Sequence, residues 1–259
     1  MMTKANFPQY DYNFHGAGYH KQRQTDPRIA DYVFAELSEM DTVLNVGAGA
    51  GSYEPDNAYV VAVEPSQTMR LERSMSGKFP AVNAVAEQLP FDDQSFDAVM
   101  AMVTVHHWHD INKGLAELKR VTKHKVVMLT FDPAKLDRHW NVDYFKDVVA
   151  AEVQRYPSIA DLVEKLAGNA TVIPVPVPFD CVDGFQDAFY GKPEAFLKPE
   201  VRAAQSAWGF VDKDTELAYV KRLKHDLNSG EWDRKYGHFR KMTSFQGGLS
   251  LIVVNYSKK

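Results

Sequence analysis

The chain has 259 residues, of which 45% are hydrophobic and 25% charged, so it can form one large α/β domain or a domain with a substantial insertion. A net charge of −4 without a long basic run excludes the usual electrostatic footprint of a nucleic-acid-binding protein. The single cysteine, Cys181, excludes an intrachain disulfide framework and fits a reducing compartment. We find no signal-peptide core and no apolar run of about 20 residues, so we expect a cytoplasmic protein without a membrane span. The oligomeric state stays open.

The first predicted helix follows an aromatic segment, residues 1–26. Asp26 and the proline after it are typical of a helix start, and apolar residues at helical spacing predict a helix over about 27–38. The aromatic segment either packs on the domain surface or forms a lid over a ligand pocket. As a lid it would place Tyr19 and Arg23 one helical turn apart, with Arg23 binding a carboxylate by a two-pronged contact.

A glycine-rich loop follows the first predicted strand. Residues 42–51 read TVLNVGAGAG, a short apolar run that stops at alternating glycines. This pattern predicts a buried strand that enters a tight loop, where glycine permits positive φ and a close approach of the backbone to a ligand. Ligands of open α/β sheets lie at the carboxyl ends of such strands. The loop is therefore either a site for a nucleoside cofactor or a plain turn.

The second predicted strand ends at an acidic residue. Residues 59–63 form an apolar run that is followed by Glu64 and Pro65, and residues 52–58 leave room for at most a short turn of helix before it. An acid about 20 residues past the glycines is where such folds bind ribose hydroxyls, because a carboxylate can accept two hydrogen bonds from a diol. Alternatively, Glu64 only stabilises the start of the next helix.

Two further strands flank an apolar plug. Residues 81–86 predict a third strand and residues 96–103 a fourth, buried strand. Between them, residues 89–91 (LPF) form an apolar plug in a turn, which we expect to close over a flat adenine ring.

Four blocks of this sequence together resemble a known family. The succession VLNVGAGAG, VAVEPS, AEQLPFDDQSFDAVMA and VHHWHD is similar to the class I S-adenosylmethionine-dependent methyltransferases. It is most similar to the type 11 group, which includes the ubiquinone- and menaquinone-biosynthesis methyltransferases. The resemblance covers residues 27–131, and AEQLPF…SFDAV is its most specific part. It implies S-adenosyl-L-methionine as the cofactor.

The pattern and the resemblance together indicate a set of cofactor-binding residues. These are Arg23, Gly47, Ala48, Gly49, Glu64, Pro65, Val85, Ala86 and Val103. The resemblance implies that the glycine loop passes close to the methionine and ribose, and that Glu64 holds the ribose diol. It also implies that Ala86 offers a backbone amide to adenine and that Val103 lies beside the sulfonium. Two positions depart from the family: Asn45 replaces an acid ahead of the glycines, and Val85 replaces a polar residue.

Three histidines follow the fourth strand in the sequence HHWHD, residues 106–110. Metal ligands usually stand four residues apart on a helix or on separate strands, and no carboxylate or cysteine cluster joins these histidines, so we expect no metal site. His107 is our candidate general base, since the family often has histidine there beside the methyl-transfer region. A structural role for His107 is the alternative. Trp108 either presents a π face to the sulfonium or to an aromatic substrate, or belongs to the core.

The remaining chain predicts a helical insertion and one last strand. Residues 111–121 form an amphipathic helix and residues 124–131 a fifth strand. Residues 172–178 alternate apolar residues with prolines, which permits an edge strand at best. Residues 180–245 hold many aromatics among helical charge patterns, and residues 247–256 form a strong strand, expected to be antiparallel.

We therefore predict an α/β fold: a Rossmann-like, doubly wound, seven-stranded sheet, mostly parallel with an antiparallel last strand, plus a helical cap insertion. Residues 1–26 would be an N-terminal lid segment. Residues 27–178 and 246–259 would form the S-adenosylmethionine-binding domain, and residues 179–245 a helical cap over the substrate.

The predicted function is methyl transfer from S-adenosyl-L-methionine to an O, N or C atom of a small organic acceptor. This displacement needs alignment and sometimes deprotonation, but no metal and no covalent nucleophile. A nucleotide-dependent oxidoreductase would share the loop and Glu64, but the spacing is GxGxG rather than GxGxxG and no Tyr-xxx-Lys pair stands out. A non-catalytic S-adenosylmethionine-binding or interaction module is a third interpretation, because no base is obvious.

Overall fold

A mixed β-sheet forms the centre of the protein. The computed structural model describes residues 11–15 and 19–256. Its strands are β1 (Thr42–Val46), β2 (Tyr59–Val63), β3 (Phe96–Met102), β4 (Thr122–Phe131), β5 (Asn169–Pro174), β6 (Val177–Pro178), β7 (Ser244–Phe245) and β8 (Leu249–Asn255). Six of them pair in the order β2-β1-β3-β4-β8-β5, and β6 pairs with β7 in a separate ribbon. Strands β1 to β4 run parallel, whereas β8 is antiparallel to both β4 and β5.

The predicted Rossmann-like fold is confirmed, but one expected strand is missing from the described sheet. Residues 81–86 do not form a strand: only Val82 bridges to Val63 at the end of β2. The chain then turns back, with the amide of Gln88 donating to the carbonyl of Val85 at 3.2 Å. Val82 and Val85 stay exposed in this segment.

The described helices are α1 (Tyr12–His15), α2 (Tyr19–Gln22), α3 (Pro27–Leu37), α4 (Gln67–Met75), α5 (Ile111–Val121), α6 (Asn141–Tyr144), α7 (Lys146–Arg155), α8 (Ile159–Leu166), α9 (Pro199–Ala203), α10 (Lys213–Ser229) and α11 (Glu231–Tyr236). Five of the described helices, α3, α4, α5, α8 and α10, begin at a residue whose side chain caps them. Asp26 caps α3 by accepting a hydrogen bond from the amide of Arg28, as the sequence predicts. Asp110 caps α5 in the same way through the amide of Lys113.

Helices cover both faces of the sheet, because successive strand side chains point to opposite sides. Val43 and Val127 pack with the apolar face of α3. Leu44 and Val126 pack with α5 and α8 on the other face. Strand β5 lies at the edge of the sheet, which suits its single proline, Pro174. Among residues 11–15 and 19–256, no helix is long and apolar enough to cross a bilayer.

A third apolar core lies outside the sheet and is strongly aromatic. The ring of Trp140 is fully buried there, with its centroid 5.6 Å from those of Phe145, Phe196 and Trp232. This cluster joins α6 and α7 to residues 179–245, the range that the sequence assigns to the cap. The division into a sheet domain and a cap stays a prediction.

Candidate functional site

A cleft of about 580 Å³, here called the large cleft, opens at the carboxyl ends of β1, β2 and β3. All the residues that the sequence analysis assigned to the site line it: Arg23, Gly47, Ala48, Gly49, Glu64, Pro65, Val85, Ala86, Val103 and His107. The parallel strands bring these separate segments to one edge of the sheet, which is where ligands of open α/β sheets bind.

The glycine loop lines the large cleft with its backbone in conformations that favour glycine. Gly47 and Gly49 have φ angles of +68° and +51°. A Cβ at Gly47 would lie 2.1 Å from the hydroxyl oxygen of Thr104, so no larger residue fits there without rearrangement. A Cβ at Gly49 would meet only the end of the Met69 side chain, at 3.4 Å. The large cleft therefore has free space beside the backbone of Gly49.

Glu64 ties the glycine loop to the start of α4. Its carboxylate accepts hydrogen bonds from the amides of Gly49 and Ser66, both at 2.9 Å. The side chain of Ser66 caps α4 by accepting from the amide of Met69, so Glu64 is not needed as the cap. Burial raises the pKa of Glu64, and the two backbone donors only partly offset it. Each carboxylate oxygen can accept a further hydrogen bond.

Asn45, one of the two departures from the family pattern, supports the loop from beneath. Its amide donates to the carboxylate of Glu54 at 2.9 Å. Glu54 also forms a buried salt bridge with Arg73, at 2.6 Å. None of these three side chains lines the large cleft. An acid does lie close to the base of the loop, but Arg73 balances its charge, so it contributes no net charge to the cleft.

At the predicted adenine end of the site, residues 85–86 line the large cleft but the apolar plug at residues 89–91 does not. Val85 and Ala86 line the large cleft, Val85 being exposed and Ala86 buried. The apolar plug does not close over the cleft, so that prediction is wrong. The amide of Leu89 donates to Glu117 on α5 at 2.8 Å, and the Leu89 side chain enters the core beneath that helix. The plug therefore stabilises the packing of α5 on the sheet and does not line the large cleft.

A second, smaller cavity of about 40 Å³ adjoins the large cleft, and we call it the small cavity. The two share four lining residues: Tyr12, Arg23, Val103 and His107. The rest of its lining comes from well-separated parts of the chain: His106, Phe131, Leu136, Glu152, Tyr156, Phe185, Gln186, Asp187, Gln205 and Ser206. Most of these lie in the region between β4 and β7.

Val103 lies at the junction of the two cavities in a strained conformation. Its φ is +50°, which β-branched residues rarely adopt. The amide of Val103 still donates to the carbonyl of Leu129 at 2.7 Å, so β4 holds the backbone in place. Strain of this kind persists where the surrounding structure fixes it, often at functional sites.

His107 also lies at this junction, and its hydrogen bonds define its tautomer. Its Nδ1 lies 3.1 Å from a guanidinium nitrogen of Arg155 and its Nε2 lies 3.1 Å from the hydroxyl of Tyr12. A guanidinium only donates, so Nδ1 accepts and the proton of the neutral ring is on Nε2. Burial and then the charges of Arg155 and Arg23 hold the pKa of His107 well below its ordinary value. His107 is therefore a neutral ring that donates through Nε2.

The described part of the N-terminal segment crosses the rim of the large cleft. The side chain of Asn13 accepts hydrogen bonds from the amide of Gln67 and the hydroxyl of Ser66, at the start of α4. Tyr12 reaches His107 on the opposite side. Residues 11–13 thus bridge α4 and the end of β3. Residues 1–10 and 16–18 of the predicted lid lie outside the described residues.

Arg23 binds a carboxylate, but one that belongs to the chain. Its guanidinium lies 2.5 Å from Asp183, which also accepts a hydrogen bond from the hydroxyl of Tyr53 at 2.7 Å. Arg23 follows the last residue of α2, so it does not share that helix with Tyr19, whose side chain lies outside the described part. Arg23 therefore fastens the N-terminal segment to residue 183 at the wall of the cleft.

Glu152 is the residue of this region that sequence reasoning missed. It lines the small cavity from α7 and makes no hydrogen bond or ion pair with any described residue. Burial raises the pKa of Glu152, although the charge of Arg155 opposes this. One signal was available: Glu152 stands among the apolar residues of α7, four residues from both Val148 and Tyr156. Glutamate is rarely buried without a partner, so a carboxylate on the apolar face of a helix indicates a functional role.

Trp108 contributes to both the core and the cleft. Its ring packs on α5, where a Cβ at Gly114 would lie 2.5 Å from it, and it also lines the large cleft. Both roles proposed for Trp108 are thus compatible with its position. No group of three or more His, Cys, Asp or Glu side chains able to hold a metal ion occurs among residues 11–15 and 19–256.

Comparison with known proteins identifies the domain. Residues 44–130 match the type 11 methyltransferase-domain family. A solved structure of a putative methyltransferase from an antibiotic biosynthesis pathway of Anabaena variabilis is 29% identical. The similarity covers 91% of this chain and 100% of that one, with a TM-score of 0.82.

Curated relatives match over shorter segments. The demethylmenaquinone methyltransferase of Clavibacter sepedonicus is 34% identical over 136 residues, 49% of this chain and 55% of the relative. The uncharacterized methyltransferase YcgJ of Bacillus subtilis is 32% identical over 99 residues, 34% of this chain and 39% of the relative. The chain thus spans about half or less of their length. The predicted resemblance to type 11 class I methyltransferases is confirmed, and S-adenosylmethionine is the cofactor of this class.

Proposed function

We propose that this chain, whose residues 44–130 form a methyltransferase domain, transfers a methyl group from S-adenosylmethionine to a small organic acceptor bound in the small cavity. One observation carries the proposal. The predicted ribose-binding residue, Glu64, lies in the large cleft, and Val103 and His107 lie where that cleft meets the small cavity. A cofactor along the large cleft would present its reactive end to the small cavity.

The residues present fit such a cofactor. The backbone of residues 47–49 would approach the methionine and ribose parts, the carboxylate of Glu64 would accept from the ribose hydroxyls, and residues 85–86 would contact the base. When bound, the cofactor supplies an electrophilic methyl group on a sulfonium. The chain then has to align the acceptor, exclude water and, where the acceptor carries a proton, receive it.

His107 would orient the acceptor or the lid by donating from Nε2. Our sequence-based hypothesis made it a general base, and that role stays a proposal. Against it, Arg155 occupies the Nδ1 lone pair, and the depressed pKa makes the ring a weak proton acceptor. Donation toward Tyr12 in the N-terminal segment supports a positioning role.

We further propose that residues 1–26 act as a lid and that residues 179–245, together with α6 and α7, act as the cap. Contacts of Tyr12 and Asn13 with both sides of the large cleft support the lid. The shared aromatic core supports the extended cap. The net charge of −4 supports an acceptor other than a nucleic acid, and the single buried Cys181 supports a reducing location such as the cytoplasm.

Isothermal calorimetry with S-adenosylhomocysteine and with NADH tests the proposal against an oxidoreductase. We expect binding of S-adenosylhomocysteine and none of NADH. Binding of NADH alone would contradict the proposal. A protein that binds S-adenosylhomocysteine but methylates no phenol, amine or carbon acid in a broad screen would instead be a non-catalytic binding module.

A further inference from the structure

The small cavity is lined by polar side-chain atoms that have no hydrogen-bond partner among the described residues. Two of them, the side-chain oxygens of Gln186 and Gln205, are buried acceptors, and the Nδ1 of His106 is buried without a partner as well. The carboxylate of Glu152 is also unpaired within the described residues. A buried polar group left without a partner costs about 1–3 kcal/mol, so several around one cavity point to a ligand that supplies the donors.

The orientation of one of these amides is fixed by the protein. The nitrogen of Gln205 donates to the carbonyl of Val201 at 3.1 Å, which leaves the oxygen directed elsewhere. Gln205 therefore offers an acceptor, and a flip of its amide would break an existing hydrogen bond. The hydrogen bond to Val201 thus fixes the Gln205 side-chain oxygen as an acceptor in the cavity.

The charge of the lining is negative overall. The guanidinium of Arg23 is balanced by Asp183 at 2.5 Å. Asp187 accepts hydrogen bonds from His139 at 3.2 Å and from the amide of Gly248 at 3.4 Å, whereas Glu152 has neither a hydrogen bond nor an ion pair with any described residue. Arg155 does not line the cavity: it donates to Ser206 and His107, and its guanidinium lies over the ring of Phe210 at 4.8 Å. Glu152 is thus the carboxylate of this lining that has no hydrogen-bond donor among the described residues, and the charge of Arg155 acts on it from outside the lining.

Aromatic rings complete the walls. The ring of Tyr156 stacks on His106 at 4.1 Å, and Phe131 meets both Tyr156 and Phe185 edge-on at 5.6 Å and 5.4 Å. Such rings favour a compact cation, which an aromatic face attracts, or the hydrocarbon part of a small molecule. A primary ammonium group carries one positive charge and three N–H donors, and it matches this lining better than a phenol or a carbon acid does.

We propose that the methyl acceptor is a small amine that binds in the small cavity as its ammonium form, with Glu152 as the counter-ion and the proton acceptor. This inference rests on the proposed methyltransferase function and adds the substrate class. It also assigns the base to a different residue from the one that the sequence suggested.

The proton and electron balance is as follows. The ammonium loses one proton to the Glu152 carboxylate, which becomes a neutral carboxylic acid. The freed nitrogen lone pair forms the new N–C bond to the methyl group. The C–S bond breaks and its electron pair stays on sulfur, so the sulfonium becomes a neutral thioether. The methylated amine leaves as a cation, and the proton on Glu152 passes to solvent.

A pair of matched probes tests the binding step without turnover. Benzylamine and propylamine are titrated against benzyl alcohol and 1-propanol, each in the presence of saturating S-adenosylhomocysteine. The proteins are the native chain, Glu152→Gln, and Glu164→Gln as a control, since Glu164 is an exposed carboxylate on α8. We expect the amines to bind at least tenfold more tightly than the alcohols, with that preference lost only in Glu152→Gln.

The pH dependence of turnover is a second test, because it would not change if Glu152 had only a structural role. With an amine acceptor, kcat/KM should fall toward low pH as Glu152 becomes protonated, and Glu152→Gln should remove that acid limb together with at least tenfold of the rate. The described charged and titratable groups around Glu152 are Tyr12, Arg23, His106, His107, Arg155, Tyr156 and Asp187. The two histidines and Tyr156 are neutral near pH 7, because burial lowers the pKa of the histidines and raises that of Tyr156.

The possible results separate this inference from the proposed function. No binding of S-adenosylhomocysteine would overturn the methyltransferase function itself. Binding of S-adenosylhomocysteine with equal affinity for amines and alcohols, failure of every amine to bind, or methylation of phenols that survives Glu152→Gln would overturn only the amine proposal.

Discussion

The large cleft and the small cavity share Val103 and His107 but are constructed in different ways. The large cleft is built mainly from backbone and from short segments that follow three neighbouring strands. The small cavity is built from side chains contributed by the N-terminal segment, by α7 and by loops of the helical region. We infer that the cleft sets cofactor binding, whereas the cavity sets acceptor choice.

The two regions also differ in how their polar groups are satisfied. The carboxylate of Glu64 in the large cleft accepts two backbone hydrogen bonds and keeps capacity for a ligand. The carboxylate of Glu152 in the small cavity has no hydrogen-bond or ion-pair partner within residues 11–15 and 19–256. The first has a structural role even without ligand, while the second costs stability until a ligand pairs with it. The predictions below act on one region at a time, except for the one at His107, which lies at the junction of the two.

The largest effect is expected at the glycine loop. Gly49→Val should reduce S-adenosylhomocysteine affinity at least 100-fold, because the side chain would enter the space where a ligand approaches the backbone. The fold should lose only about 1–2 kcal/mol, the cost of a left-handed conformation for a non-glycine residue. Calorimetry and thermal unfolding measure the two effects.

Gly77→Val is the matched control for Gly49→Val. Gly77 also has a positive φ, +72°, but nothing lies within 4 Å of its Cβ position, so only the backbone strain is shared. Equal affinities for the two variants would mean that no ligand approaches Gly49.

A smaller loss is expected for Glu64→Ala, which should weaken S-adenosylhomocysteine binding by about 1–3 kcal/mol, the scale of a hydrogen bond to a charged group. Ser66→Ala separates this from the helix-start role: it removes the cap of α4 but keeps the carboxylate. If the two variants bind the ligand equally well, Glu64 has no role in recognising the ribose.

At the junction, His107→Ala should lower kcat about tenfold while changing S-adenosylhomocysteine affinity less than threefold, because His107 donates toward the lid and touches the cleft only at its end. Since the pKa of His107 is held below its ordinary value, no titration of this ring should appear in kcat/KM between pH 6.5 and 8. A limb in that window that disappears in His107→Ala would restore His107 as the base.

The smallest effect concerns stability. The pKa of Glu152 is raised in the folded state, so the folded protein binds a proton more tightly than the unfolded chain does. Stability should therefore fall as pH rises above the ordinary value of 4.5 through the raised pKa. Glu152→Gln should raise the melting temperature at pH 8, each kcal/mol appearing as about 2–4 °C. The gain should vanish below pH 4.5, and Glu164→Gln should show none.

Much of the large cleft was predictable because its determinants are local in the sequence. The glycines, Glu64 and residues 85–86 each follow an apolar run, and parallel strands bring such positions to one edge. The failures there also have local causes. Residues 81–86 join the sheet by one bridge instead of a strand, and the plug at residues 89–91 packs into the core beneath α5.

The small cavity was not predictable, because its lining depends on tertiary contacts. Glu152, Gln186 and Gln205 are far apart in sequence and meet only through packing of the aromatic cap. The hydrogen bond from Arg155 that fixes the tautomer of His107 also crosses between distant segments. Sequence spacing carries no information about such pairs, so the choice of His107 as a base rested on resemblance alone.

The most direct test of the division between the two regions is a crystal structure of the complex with S-adenosylhomocysteine. We predict that the ribose hydroxyls lie within hydrogen-bond distance of Glu64 and that the sulfur lies beside Val103, facing the small cavity. A nucleoside bound elsewhere, or a sulfur directed away from the cavity that Glu152 lines, would contradict the account.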